Sequence, residues 1–229
     1  MTSPRTLEPP GVRARQPRSD GEQSRARLLH AALLLFADKG YTKTSTREIA
    51  EAAGTNVASI SYYFGDKAGL YRTVFSEPMG DPDEEIARFA DPALSLEQAL
   101  RGFFIGFIEP LRQGDLSRRC MKLHMREMLE PTGLWQAEIE RSIRPSHEAF
   151  VKVLQRQLGV KRIDDELHRL AVALAALGVY LHVGRDITDA IAPRLNAGAR
   201  ALDVWLDRLV GYGVAMVGAE RARRGLTSG

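Results

Sequence analysis

The chain has 229 residues, of which 44% are apolar and 27% charged, with a net charge of +3; it can bury a core in one or two domains, and disorder throughout is excluded. A lone cysteine, Cys120, excludes an internal disulfide, and the N-terminus lacks the apolar stretch of a secretory signal, so the cytoplasm is the expected compartment. No internal repeat, P-loop, G-x-G-x-x-G or metal-type Cys/His spacing occurs, so neither a metal nor another cofactor is expected.

Residues 1–21 have no apolar periodicity and mix Arg5, Arg13, Arg15 and Arg18 with Pro4, Pro9, Pro10 and Pro17. They read as a disordered basic arm, either a solvated tail or a segment able to follow phosphates or enter a minor groove. From about Ser24 to Lys39, Leu28, Leu29, Ala32, Leu33, Leu35 and Phe36 recur at helical spacing and Gly40 supplies a stop, which predicts the first helix of a small domain.

Two short helical patterns then meet at a glycine within TSTREIAEAAGTNVASISYYFGDK, residues 44–67. Ser45 and Glu48 form an S-x-x-E capping box that starts a helix. Gly54 ends it in a left-handed conformation, and Asn56 caps the next helix, Val57 to Phe64. Ala58, Ile60 and Phe64 are its expected inward residues, leaving Asn56, Val57, Ser59, Ser61, Tyr62 and Tyr63 for the opposite side. Spacing alone is compatible with an ordinary αα-hairpin bearing surface tyrosines, or with a helix-turn-helix whose hydroxyls and short side chains sit in a major groove.

The segment resembles the DNA-binding domain of the tetracycline-repressor (TetR) family, whose pattern T-x-x-x-I-A-x-x-A-G-V-S-x-G-x-L/I-Y-x-x-F-x-x-K is matched in register by Ile49, Ala50, Ala53, Gly54, Ile60, Phe64 and Lys67, with Thr46 one position closer to Ile49 than the pattern's Thr. Thr55 stands in place of Val, Ala58 in place of Gly, and Ser61 in place of the Tyr that touches the DNA backbone in the family. The resemblance assigns phosphate contacts to Thr44 or Thr46 and to Lys67, with Tyr62 or Tyr63 taking over the role of the missing tyrosine. It implies an operator-binding regulator of double-stranded DNA, a homodimer formed by the last two long helices, and release of DNA by a small-molecule effector.

Asp66 is the expected N-cap of a fourth helix, packed through Leu70, Tyr71, Val74 and Phe75. Lys67 in its first turn opposes the helix dipole, a cost that makes sense if it faces phosphate. The Pro- and Gly-containing stretch 76–84 marks a boundary. Beyond it helices are expected at about 84–90, 95–113, 117–130, 132–158, 163–185 and 198–222, with Pro110 and Pro145 kinking or ending two of them.

Residues 167–183 and 201–217 are apolar around most of their circumference, and Ala173, Ala176, Gly178, Gly211 and Gly213 permit close helix approach. They are either central in one chain's core or covered by a partner subunit; the longest apolar run is too short to span a bilayer, and no membrane partner is expected. In 103–128, Phe103, Phe104, Phe107, Met121, Met125 and Met128 alternate with His124, Arg126 and Glu127, a pattern of either core or an adaptable apolar pocket. As a pocket it would use His124 and Arg126 as polar anchors, with Phe150 and Tyr180 joining from later helices. Cys120 beside Arg118, Arg119 and His124 lacks an ordered base and is read as a plain thiol, so no enzyme is expected.

The expected fold is therefore all-α: a disordered arm (1–21), a three-helix helix-turn-helix domain with its connecting helix (22–75), and a larger helical domain for effector binding and dimerisation (82–225). The competing class is a dimeric helical small-molecule binder or enzyme that retains a helix-turn-helix without operator specificity.

Overall fold

A computed structural model describes residues 20–76, 81–112, 114–198 and 200–226, the side chain of Asp115 excepted. Of the expected basic arm, residues 1–19 lie outside the described residues, while Asp20 and Gly21 are already helical. Twelve α-helices and no strand occur among the described residues.

Local hydrogen bonding places the first four helices. α1 (Asp20–Lys43) buries Leu28, Ala32, Phe36 and Ala37, and its helical path breaks at Gly40, whose φ of 79° closes the helix where the sequence asked for a stop. α2 (Thr46–Ala52) begins at Ser45, whose hydroxyl accepts from the Glu48 amide at 3.1 Å. Gly54, at φ 61°, turns the chain, and the Thr55 amide returns to the Ala50 carbonyl at 2.9 Å. α3 (Val57–Phe64) is capped by Asn56, whose side chain accepts from the Ala58 amide at 2.9 Å. α4 (Lys67–Ser76) follows, with Asp66 accepting from the Gly69 amide at 2.6 Å.

The remaining helices are α5 (Pro82–Ala90), α6 (Leu96–Arg112), α7 (Asp115–Leu129), α8 (Leu134–Glu138), α9 (Arg144–Leu158), α10 (Asp165–Val183), α11 (Arg185–Ile191) and α12 (Ala201–Arg223). Pro110 lies in the last turn of α6, which ends two residues later. Pro145 does not end its helix: one π turn, Ile139–Ile143, joins α8 to α9 and places the proline in the first turn of α9, where its missing N–H costs least. α11 was not expected from the sequence.

Two hydrophobic cores result. The larger is built from α5, α6, α9, α10 and α12. At its centre Phe103 stacks on Phe150 with ring centroids 3.7 Å apart, and Phe89 stands edge-on to both at 5.5 and 5.8 Å. Arg224, at the end of α12, holds both oxygens of Asp164, the N-cap of α10, at 2.8 Å, which keeps that carboxyl well below the usual carboxylate range.

The smaller core belongs to α1–α4, and it also takes Cys120 and Leu123 from α7. A helix that the sequence assigns to the second domain thus completes the core of the first. Tyr71 on α4 donates to Glu127 on α7 at 2.9 Å, and the Thr132 amide and hydroxyl donate to the same carboxylate at 2.7 and 2.8 Å, so this buried charge is fully hydrogen-bonded. Burial, then the bond to Glu127, pushes the Tyr71 phenol well above its ordinary pKa. Tyr71→Phe leaves Glu127 one donor short, and a loss of about 1.5–3 kcal/mol is expected for a hydrogen bond to a buried charged group. Denaturant melts measure it; an unchanged midpoint would show that Thr132 alone satisfies the carboxylate.

Candidate DNA-binding surface and effector region

α3 presents its outer face as the reading element of a helix-turn-helix would. Ile60 is buried, Phe64 is half-buried beneath Arg25, whose guanidinium carbon lies 5.4 Å from the ring, and Tyr62 is 82% exposed. Asn56, Val57 and Ser61 are exposed with Tyr62, whereas Ser59 and Tyr63 are half-buried. The Tyr62 and Tyr63 rings meet edge to face at 4.9 Å, so one tyrosine braces the other. Ala58, expected inward, is exposed: Ile60 and Phe64, four residues apart, define the inner face, and Ala58 falls off it.

Lys67 stands at the start of α4 with its ammonium 4.3 Å from the Tyr41 ring centroid, and partial burial lowers its pKa. The ring fixes where the charge sits without taking up its N–H donors. Thr46, half-buried at the first position of α2, has the exposed Arg47 beside it, a cation that the family pattern does not single out. Thr44 is a correction. It is 1% exposed, and its hydroxyl donates to the Gly40 carbonyl at 2.8 Å and the Leu35 carbonyl at 3.2 Å. It satisfies the end of α1 and is withdrawn from the phosphate-contacting set, since a buried donor already in use cannot reach DNA.

The residues expected to line one effector pocket are divided between two cores and the surface. Phe103, Phe104 and Phe150 are packed inside the larger core. Phe107 is half-buried against Gly178, where a Cβ would stand 2.5 Å from its ring. His124 lies in the other core, 3% exposed, stacked on Phe75 at 4.0 Å. Arg126 pairs with Glu130 at 3.1 Å and donates to the Asp38 carbonyl at 3.3 Å, closing the α1–α7 contact instead of facing a cavity. Met121 and Met125 are half-buried on α7, while Met128 and Tyr180 are about half exposed. The expectation of a single cavity fails because one helical face per segment serves each core, and α6 and α7 serve different ones.

Reading by sequence missed Glu85, Glu138 and Trp135. Glu138 is 4% exposed with Oε1 unpartnered among the described residues, and burial raises the pKa of both glutamates. The only local signal was the i, i+3 pairing of Trp135 with Glu138. Cys120 is buried and its thiol is pushed up to about 11, first by desolvation and then by Glu138, which leaves it a neutral, unreactive thiol at physiological pH. Among the described residues no group of three His, Cys, Asp or Glu is arranged to hold a metal.

α10 is long and apolar enough, by length and composition, to cross a membrane. Within the single chain it is covered on one side: Leu167, Leu170 and Leu174 enter the core, while Val172, Tyr180 and Val183 are more than half exposed. Gly178 and Gly213 admit neighbouring side chains of the same chain, Phe107 and Leu100, whereas Ala173, Ala176 and Gly211 face outward.

Comparisons with known proteins agree with this geometry. Residues 28–74 match bacterial regulatory proteins of the tetR family, and residues 96–218, more than half of the chain, match the C-terminal domain of the HTH-type transcriptional dual regulator CecR. The CecR regulator of Shigella flexneri is 33% identical over 159 residues, covering 64% of this chain and 70% of that protein. The regulator TcmR of Streptomyces glaucescens is 28% identical over 200 residues, 85% of this chain and 83% of its own. A TetR-like regulator from Rhodococcus sp. RHA1 shares the fold with a TM-score of 0.58 at 23% identity, over 88% of this chain and 99% of that one. With the helix-turn-helix in register and both halves matched, the chain belongs to the TetR family of DNA-binding transcriptional regulators, and its C-terminal domain is of the CecR type.

Proposed function

We propose that this regulator acts in the cytoplasm as a homodimeric repressor, held on a palindromic operator by its two copies of α3 and released by a small organic molecule bound among the helices of the C-terminal domain. The observation that carries the release mechanism is the double allegiance of α7. Cys120 and Leu123 are part of the head core, and α7 also packs against α6 and α10 of the body. A ligand that shifts α7 therefore changes the angle of the head, and two heads that no longer match the half-site spacing lose the operator.

The DNA-contacting set is Thr46, Asn56, Val57, Ser59, Ser61, Tyr62, Tyr63 and Lys67, of which Tyr62 is 82% exposed. Dimerisation is supported by the outward apolar residues of the last two long helices, Val172, Tyr180 and Val183 on α10 with Val204, Tyr212 and Val214 on α12, each at least 40% exposed. Such a face fits a symmetric, mostly hydrophobic interface.

Selection of bound fragments from genomic DNA at moderate salt tests the reading directly, and failure to enrich any sequence sinks it. With an operator in hand, Lys67→Ala is expected to weaken all sequences alike and to lower the slope of log affinity against log salt by about one. An unchanged slope would remove Lys67 from the contact set.

A further inference from the structure

The chain has five histidines, and the fold brings two of them together. His147 in the first turn of α9 and His168 in the first turn of α10 are 21 positions apart, yet Nε2 of His147 lies 2.9 Å from Nδ1 of His168. The ring centroids are 5.2 Å apart with the planes 22° from parallel, so the rings meet end to end. His147 is half-buried and His168 exposed. The other three histidines stand alone: His124 stacks on Phe75 inside the head core, His182 donates to the Phe107 carbonyl at 2.8 Å, and His30 is exposed on α1.

Two facing imidazole nitrogens share one proton, which one of them must carry for the other to accept. A cation with two adjacent open positions can replace that proton. Two cis nitrogens, each about 2.05 Å from a tetragonal ion, stand about 2.9 Å apart, whereas a tetrahedral ion sets them about 3.3 Å apart. The separation between His147 and His168 is therefore that of a tetragonal chelate. Turning both lone pairs onto an ion beside the N–N line takes rotation about the terminal torsion of each ring, which is broad for histidine.

The surroundings admit a positive charge. Burial, then the neighbouring His168, lowers the His147 pKa against the pull of Glu148, which favours the neutral ring that serves as a ligand. The guanidiniums nearest in sequence are engaged elsewhere: Arg144 holds both oxygens of Glu140 at 2.8 Å, and Arg169 pairs with Glu166. The backbones that carry the two rings are fixed without any ion, because Phe150 and Val151 of α9 and Leu167 and Ala171 of α10 are buried in the same core.

We propose that His147 and His168 form a surface site for a divalent transition-metal ion of the nickel or copper class, a chelate that fastens α9 to α10. Water completes the shell, since no third His, Cys, Asp or Glu joins the pair among the described residues. Magnesium and calcium, which take oxygen ligands, find nothing to prefer here. The site is independent of the effector reading above and of the DNA-contacting face.

The test uses the full, untagged chain with NiCl2 in titration calorimetry and thermal melts. One Ni2+ per chain is expected, with a melting temperature that rises with metal concentration by mass action. His147→Gln and His168→Gln are each expected to weaken binding at least tenfold, and His30→Ala to leave it unchanged. Lowering the pH from about 7.5 to about 5.5 is expected to weaken it at least tenfold as well, because protons compete for both nitrogens. MgCl2 is expected to give neither heat nor shift. Electron paramagnetic resonance of the wild-type chain with one equivalent of Cu2+ needs no substitution, and it is expected to show two nitrogen ligands. No binding of Ni2+ at millimolar concentration, binding that survives both glutamine substitutions or is lost in His30→Ala, or a Cu2+ spectrum with fewer than two nitrogens would overturn the proposal.

Discussion

Val204→Asp is expected to give monomers that retain their helical content but bind the operator at least a hundredfold more weakly. Val204 is 56% exposed on α12, so the charge meets water in the single chain and is buried only if a second copy covers that face. Losing the dimer removes the second head's contribution, and linking two modules raises apparent affinity by roughly 10²–10⁴ without any new contact. Leu209 on the same helix is 2% exposed in the single chain, so Leu209→Asp is expected to unfold the protein and tells nothing about the interface. Sedimentation at micromolar concentration separates the two cases. A Val204→Asp protein that remains dimeric with wild-type affinity would place the interface elsewhere.

Gly69→Ala is expected to abolish operator recognition while leaving the dimer intact. A Cβ at Gly69 would stand 1.9 Å from the Phe64 carbonyl oxygen, a backbone atom at the end of α3 that cannot rotate away. The turn between α3 and α4 must open, and the Gly69 amide bond to Asp66 at 2.6 Å is strained with it. Overpacking of this kind costs about 1–3 kcal/mol, and here the displaced element is the one that carries Tyr62. Since a helix misplaced by an ångström no longer aligns its donors with base edges, operator affinity is expected to fall at least tenfold by fluorescence anisotropy. Sedimentation and circular dichroism should report an otherwise intact molecule. Unchanged DNA binding would show that the α3–α4 turn relaxes without moving the reading helix.

Legibility from sequence was uneven along the chain, and it followed the range of the interactions. Ser45, Gly54, Asn56 and Asp66 each act on amides or carbonyls within a few residues, so the bounds of α2 and α3 and the turn between them followed from reading these residues in order. The same locality makes the TetR pattern recognisable over about fifty residues, and with it the family.

What the sequence determined by itself was therefore the all-helical class, the helix-turn-helix and the face of α3 bearing Tyr62. Tertiary structure alone decided the rest. Thr44 was lost to the interior because Leu35 and Gly40 offer their carbonyls to it. α7 joined the head because Glu127 finds Tyr71 fifty-six positions away in the chain. Phe103 became core and not pocket lining because Phe150 stacks on it, and Glu138 emerged as a buried carboxyl with one unpartnered oxygen although its sequence neighbourhood resembles a solvated helix. An amphipathic pattern tells that a helix has an inner face, but which core that face enters depends on contacts between residues far apart in the chain, and no local spacing encodes them.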